Sequence, residues 1–305
     1  MRATNEGRIS MSTIKSAWLA GVGAAALLTA AADAQVIASD SADDVAYAFG
    51  WAEFDNGGTG FSEWRFASES ANADGFAGFF LAEEPNEGLS NVRSGDPGFA
   101  WAIFANGGTG LEQAAAYRGF NTPVSSGGVD FAISYEHGFI ADGGQVGFAI
   151  RTGNANDTAG DVGIGARMQF FFQGGSGNYT VVDGSGVLDT GVPFTLDGLD
   201  IRVSFTGPDT YELSVVRYGD EIGSTLAFTF PERSLAGAGS IDSVAIYSSD
   251  GASSEGLNND AYFNILMIEV PTTGNTCPAD LAAPFGTRVF FVVLEYLSLF
   301  VHGCD

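Results

Sequence analysis

The chain has 305 residues and sets 37 acidic side chains against 12 basic ones, a formal net charge of −25. A field of that sign repels polyphosphates and anionic lipid, which excludes nucleic acid and membrane surfaces as natural partners. Charged residues are nonetheless few at 16%, and 43 Gly with 25 Phe describe aromatic strands separated by glycine-rich turns rather than a disordered acidic tail.

In chain order, Arg2, Arg8 and Lys15 precede an uncharged run, AWLAGVGAAALLTAA at 17–31, and Ala32-Asp33-Ala34 follows it. This is the order of a cleavable secretory signal peptide, residues 1–34, with the mature chain beginning at Gln35 and translation starting at Met1 or Met11. The run is shorter than the roughly 20 apolar residues of a membrane span. The expected location is outside the cytoplasm, secreted or at the cell surface. Cleavage removes three basic and two acidic residues, leaving nine Arg, no Lys and a net charge of −26.

Residues 35–270 read as one domain. Short segments rich in Phe, Val, Ile and Tyr recur between clusters of Gly, Asn, Asp and Ser: VAYAFG, GFAGFFL, GFAWAIF, VDFAISY, QVGFAIR, ARMQFFF, NYTVV, DIRVSFT, TYELSVVRY, LAFTF, DSVAIYSS and AYFNILMIEV. Many alternate apolar with polar, which predicts half-buried strands and an all-β sandwich of two antiparallel sheets. One internal echo, WAEFDNGGTGF at 51–61 and WAIFANGGTGL at 101–111, predicts two corners on equivalent positions of the sandwich. Sugar C–H faces stack on exposed aromatic rings, so a sharper reading makes Trp51, Asn56, Trp101 and Asn106 a paired glycan-contacting rim.

Two acidic, Asn-rich segments offer oxygen ligands for structural calcium: Asn154, Asn156, Asp157 and Asp161 in one, and Asp250, Glu255, Asn258 and Asp260 in the other. Parts for other chemistry are few. His137 is the one histidine before residue 277, no G-x-S-x-G occurs, and the mature chain lacks the lysine of a phosphate-binding loop.

Residues 271–276 (PTTGNT) form a polar linker, after which Cys277 and Cys304 bracket CPADLAAPFGTRVFFVVLEYLSLFVHGC. In an exported chain, a single cysteine pair so placed is expected to form a disulfide closing a small module, 277–305. This segment resembles the GC-type dockerin modules that end many exported bacterial proteins. Residues Cys277 to Ala282, Pro284 to Gly286, Phe290, Phe291, Val293, Tyr296, Leu297, Phe300, Gly303 and Cys304 match that pattern. The resemblance implies a half EF-hand, a loop followed by a helix, and a cohesin-like or envelope sorting partner. Where the family carries further acids this chain has Val289 and Val292, so Asp280 alone remains of the calcium loop. A degenerate loop of that kind implies weak calcium binding or none.

The main body is similar to concanavalin A-like jelly rolls of unassigned role, through DNGGTGF at 55–61, AYRGF at 116–120, NYTVVDGSG at 178–186 and NDAYFN at 259–264. Enzymes of that fold that cleave β-glucans share E-x-D-x-x-E; Glu53 and Asp55 begin it, but Gly58 takes the third acid's place. The expectation is therefore an exported, non-enzymatic protein that binds polysaccharide. The alternatives are a cell-surface structural protein without a small ligand, and a glycoside hydrolase or lyase with an unrecognised acid pair.

Overall fold

A computed structural model describes residues 34–70, 76–83, 94–95, 98–106, 112–153, 162–218, 225–250 and 260–271. The strands are β1 (Gln35–Asp40), β2 (Arg65–Glu69), β3 (Phe76–Glu83), β4 (Ser94–Gly95), β5 (Gly98–Asn106), β6 (Gln113–Val124), β7 (Val129–His137) and β8 (Gln145–Arg151). They continue as β9 (Ala166–Gln173), β10 (Asn178–Asp183), β11 (Gly186–Pro193), β12 (Leu199–Phe205), β13 (Thr210–Tyr218), β14 (Thr225–Ser234), β15 (Ile241–Ser249) and β16 (Ala261–Val270). The predicted strand VAYAFG is a correction: Val45–Tyr47 is a single 3₁₀ turn, because the Asp44 carboxylate caps the Ala46 N–H at 2.9 Å.

The strands form two antiparallel sheets, as the alternation predicts. One has nine strands, in the order β14-β13-β12-β7-β16-β5-β3, with β1 paired to β16 and β4 to β5. The other has seven, in the order β11-β10-β9-β8-β15-β6-β2. Alternate residues of both sheets fill the space between them: Trp101 and Ile103 of β5, Phe131 and Ile133 of β7, Phe148 and Ile150 of β8, Phe170 of β9, and Val244 and Ile246 of β15. The opposite alternates point outward, since successive side chains of a strand leave on opposite faces.

One polar group is buried where the sheets meet the 41–62 segment. Arg118 of β6 points inward with its side chain fully enclosed, as is that of Asp40 at the end of β1. All five guanidinium donors find acceptors. Nη1 binds the Asp40 carboxylate and the Tyr47 hydroxyl (3.0 Å), Nη2 binds Asn56 Oδ1 (3.0 Å) and the Gly57 carbonyl (2.7 Å), and Nε binds the Ser62 carbonyl (2.9 Å). Burial pushes the Arg118 pKa down to about 9. Tyr47 donates to Asp40 at 2.5 Å and accepts from Trp64 Nε1 at 3.0 Å. The neighbouring Gly58 has φ +65°, and a Cβ there would lie 2.0 Å from the Ser39 carbonyl oxygen, so only glycine fits this corner.

Removing one member of such a pair strands the other charge. Asp40→Ala or Arg118→Ala is expected to lower stability by about 3–5 kcal/mol in urea unfolding, and the double variant by clearly less than the sum. Additive losses would show that the two groups do not depend on each other.

Candidate functional site

The outer face of the seven-stranded sheet carries a set of side chains unlike those of an ordinary solvated face. Because Ala114, Ala116, Phe148, Phe170 and Ile246 belong to the core, their chain neighbours Ala115, Tyr117, Gly147, Ala149, Phe171, Ala245 and Tyr247 lie on the outer side. Strand register sets them in rows that cross the strands. One row reads Ala67, Ala115, Tyr247, Gly147, Phe171, Thr180, and the next Arg65, Tyr117, Ala245, Ala149, Gln169, Val182. A third row reads Glu69, Gln113, Ser249, Gln145, Gln173, three of its members amides.

Alanine and glycine on this side lie beside three aromatic rings that are themselves buried, Tyr117 at 3%, Phe171 at 7% and Tyr247 at 5% exposure. Tyr117, Phe171 and Tyr247 pack with those alanines and with Val162 in an apolar cluster separate from the core. Gly147 stands between Tyr247 and Phe171, and a Cβ there would lie 2.2 Å from the Phe170 carbonyl oxygen. Glycine at this position is therefore enforced by the backbone of the sheet. The Tyr247 hydroxyl is buried without a hydrogen-bond partner, and burial raises its pKa. Arg151 closes one end of the cluster: its guanidinium lies 4.7 Å from the Tyr117 ring centroid, and its Nε and Nη2 bind the Ile164 carbonyl at 3.1 and 2.7 Å. No group among the described residues hydrogen-bonds the side-chain amides of Gln113, Gln145, Gln169 or Gln173.

The residues singled out in the sequence fall elsewhere. The tryptophan rim is corrected: Trp51 is 5% exposed and Trp101 fully buried. With Trp64 they form one edge-to-face cluster, Trp51 to Trp64 at 5.1 Å and Trp64 to Trp101 at 5.3 Å between centroids. The two echoed segments are not equivalent either, since Trp101 lies on β5 whereas Trp51 precedes β2 in an irregular turn. Asn56 is exposed but gives its Oδ1 to Arg118, and Asn106 is buried with its Nδ2 donating to Asp260 Oδ1 at 2.9 Å. Two asparagines so engaged do not make a paired rim. Glu53 and Asp55 sit in the same turn as Trp51, where Asp55 Oδ2 caps the Ala52 N–H at 2.7 Å.

Of the second calcium segment, Asp250 accepts the Glu112 N–H at 3.1 Å and Asp260 pairs with Asn106, whose Oδ1 is buried with no partner. Among the described residues no group of three or more His, Cys, Asp or Glu side chains is arranged to hold a metal. Glu255, Asn258, the 154–161 segment, Cys277, Asp280 and Cys304 lie outside the described residues, as does the signal segment up to residue 33.

Two buried groups at this end of the sandwich titrate in opposite senses. Burial pushes His137 from 6.5 down to about 4, against the bond between Nδ1 and the Gly138 carbonyl. That carbonyl can only accept, so Nδ1 carries the proton and Nε2 accepts from the Tyr179 hydroxyl at 3.0 Å. Burial pushes Asp260 from 3.8 up to about 6, partly offset by the Asn106 N–H.

No family model matches the chain, and no curated protein does. Solved structures are similar to it at low identity. The exoplasmic/lumenal domain of VIP36, bound to calcium and Man3GlcNAc, is 7% identical over 70% of this chain and 88% of that one, with a TM-score of 0.36. The carbohydrate esterase vb_24B_21 from Shiga toxin-encoding bacteriophage phi24B is 12% identical, covering 78% and 100%, at 0.40. Domain 4 of AbnA, an arabinanase of Geobacillus stearothermophilus in complex with arabinotriose, is 14% identical, covering 79% and 94%, at 0.38. The ligands and activities in those names are those proteins' own.

Two outcomes follow from this geometry. In the mature chain, tryptophan emission should be blue-shifted and acrylamide quenching weak until the fold is melted; strong quenching of the native protein would restore an exposed rim. For Asp260 the folded pKa is raised, so its ionisation penalises folding fully above pH 6 and the penalty fades as pH falls towards 3.8. Asp260→Asn, measured in chelator, should therefore exceed the wild type in stability by about 3 kcal/mol at pH 8, with the difference closing by pH 4. A pH-independent difference would contradict the buried, ionised carboxylate.

Proposed function

We propose that this chain is an exported, non-enzymatic binding protein whose sandwich, a concanavalin A-like jelly roll, binds polysaccharide on the outer face of the seven-stranded sheet. The observation that carries this is the set of outward glutamines Gln113, Gln145, Gln169 and Gln173, half-buried or exposed and without a hydrogen-bond partner among the described residues. A sugar ring has an apolar C–H face and a rim of hydroxyls. Each glutamine offers a carbonyl acceptor and two N–H donors to those hydroxyls.

The rest of the proposal follows from the sequence. The signal segment delivers the protein outside the cytoplasm, and residues 277–305, closed by a Cys277–Cys304 disulfide, attach or sort it through a cohesin-like or envelope partner. Structural calcium would be held at Asp260 and Asn106: the carboxylate and the orphaned Asn106 Oδ1 are oxygens that suit a hard cation. Glu255 and Asn258, outside the described residues, stand between Asp250 and Asp260 in sequence and are the further oxygen ligands proposed.

A second reading, a cell-surface structural protein with no small ligand, draws on the burial of Trp51 and Trp101. Pull-down of the mature protein on insoluble polysaccharides separates the two. Retention on at least one glycan, weakened at least fivefold by Gln145→Ala or Gln173→Ala with the unfolding midpoint unchanged, supports the binding reading. A blank across neutral, acidic and algal glycans transfers support to the structural one.

A further inference from the structure

We infer that the 45–54 stretch, between β1 and β2, is a docking site for another protein, one that meets it with an apolar surface rimmed by lysine or arginine. The inference stands apart from the polysaccharide reading, since it uses none of the glutamines of the seven-stranded sheet.

Side chains that water would ordinarily drive inward stand outward here. Phe49 is exposed at 105%, Val45 at 85% and Phe54 at 54%, and Ala46, Ala48 and Ala52 between them are exposed as well. A lone exposed apolar residue needs no explanation, but six within ten residues mark an interaction surface.

Looseness of the chain does not account for that exposure. Tyr47 and Trp51, on either side of Phe49, are buried anchors. Backbone bonds fix the turn between them, the Ala48 N–H to the Val45 carbonyl at 3.2 Å and the Gly50 N–H to the Tyr47 carbonyl at 2.9 Å. Further on, the Phe54 N–H binds the Trp64 carbonyl at 2.9 Å, and the Trp64 N–H returns to the Asp55 carbonyl at 2.9 Å. Phe54 is thereby held at φ +72°, a conformation that a bulky side chain adopts only under constraint. Strain of this kind concentrates at sites that bind. An apolar surface on so fixed a mount loses little freedom when a partner closes over it.

Charge selects the partner. Between Gln35 and Trp64 the sequence has Asp40, Asp43, Asp44, Glu53, Asp55 and Glu63, and no lysine or arginine. Asp40 is enclosed with Arg118, and Glu63 pairs with Arg65 at 2.7 Å. Glu53, exposed between Ala52 and Phe54, has no partner among the described residues. Asp44 accepts the Ala46 and Gly58 N–H groups and Asp55 the Ala52 N–H, neutral donors that leave both charges in place. A second copy of this chain would set the same acids against these, and anionic lipid would be repelled in the same way. A cationic rim around an apolar centre is attracted and oriented instead.

Fluorescence anisotropy on the mature protein at moderate salt tests this with two labelled peptides of equal charge, an amphipathic leucine–lysine peptide and its serine–lysine counterpart. The leucine–lysine peptide is expected to bind at least tenfold tighter. Phe49→Ser and Val45→Ser should each weaken it several-fold, leaving the serine–lysine peptide and the melting temperature unmoved, while Glu53→Gln weakens both peptides. Phe54→Gly, which removes the ring and the strain together, should weaken the leucine–lysine peptide without lowering the melting temperature. Equal affinity for the two peptides, or a leucine–lysine affinity untouched by Phe49→Ser, overturns the inference. So does loss of retention on insoluble polysaccharide in the Phe49→Ser variant, because the ring would then belong to a sugar site.

Discussion

The enclosed Arg118 guanidinium is the constraint on which the rest of the architecture turns. An ion taken out of water costs several kcal/mol unless every donor is matched, and here five acceptors from four separated parts of the chain converge on it: Asp40, Tyr47, the Asn56-Gly57 corner and Ser62. None of those partners can be placed without the others. Burying Arg118 thus orders the long 41–62 segment, which has almost no regular hydrogen bonding of its own, and ties β1 of one sheet to β6 of the other. The Trp51–Trp64–Trp101 cluster packs against the same network through Trp64 Nε1 and the Tyr47 ring, which meets Trp101 edge-on at 5.7 Å.

That constraint also reaches the outer face. Strand geometry alternates strictly, so once Arg118 is fixed inward, Tyr117 must leave on the other side, and with it Ala115. The pairing of β6 with β15 and β8 then brings Tyr247 and Gly147 into the same row as Ala115. The outer cluster is in this sense the reverse side of the buried salt bridge. A register slip of one residue would turn the arginine to the outer side and the outer alanines into the core at the same stroke.

The sandwich was legible in the sequence because its central strands alternate large apolar with polar residues, as Ile201, Val203 and Phe205 do along β12. The strands that evaded that pattern did so for physical reasons. AAAYRGF of β6 carries alanine on both faces and an arginine pointing inward, so neither its hydrophobicity nor its polarity marks the buried side. β11 is glycine-rich and forms the sheet's edge, where one partner suffices. The tryptophans misled because residue type says that a ring can stack on a sugar, while burial is decided by what packs beside it. The NGGTG echo misled similarly: the first copy is shaped by Arg118 and Ser39, contacts far apart in sequence that no local repeat encodes. The outer-cluster residues Tyr117, Phe171 and Tyr247 were visible as the off-phase members of core strands, but only register reveals that they meet.

The two outer faces of the sandwich make a contrast that bears on which one is used. On the nine-stranded sheet the outward positions of β7, β12 and β16 carry charge, and it is settled internally: Arg202 bridges Asp130 at 2.7 Å and Glu269 at 3.0 Å, while Asp200 accepts from Ser134 at 2.7 Å and from Tyr218. Most of the hydrogen-bonding capacity of that face is spent internally, Arg202 Nη2 being buried without a partner. On the seven-stranded sheet the centre of the outer face is neutral, its arginines point to backbone carbonyls or rim acids, and its amides and the Tyr247 hydroxyl are left without protein partners. The glutamine amides, half-buried or exposed, can be matched from outside, whereas the Tyr247 hydroxyl and the rings beside it are enclosed.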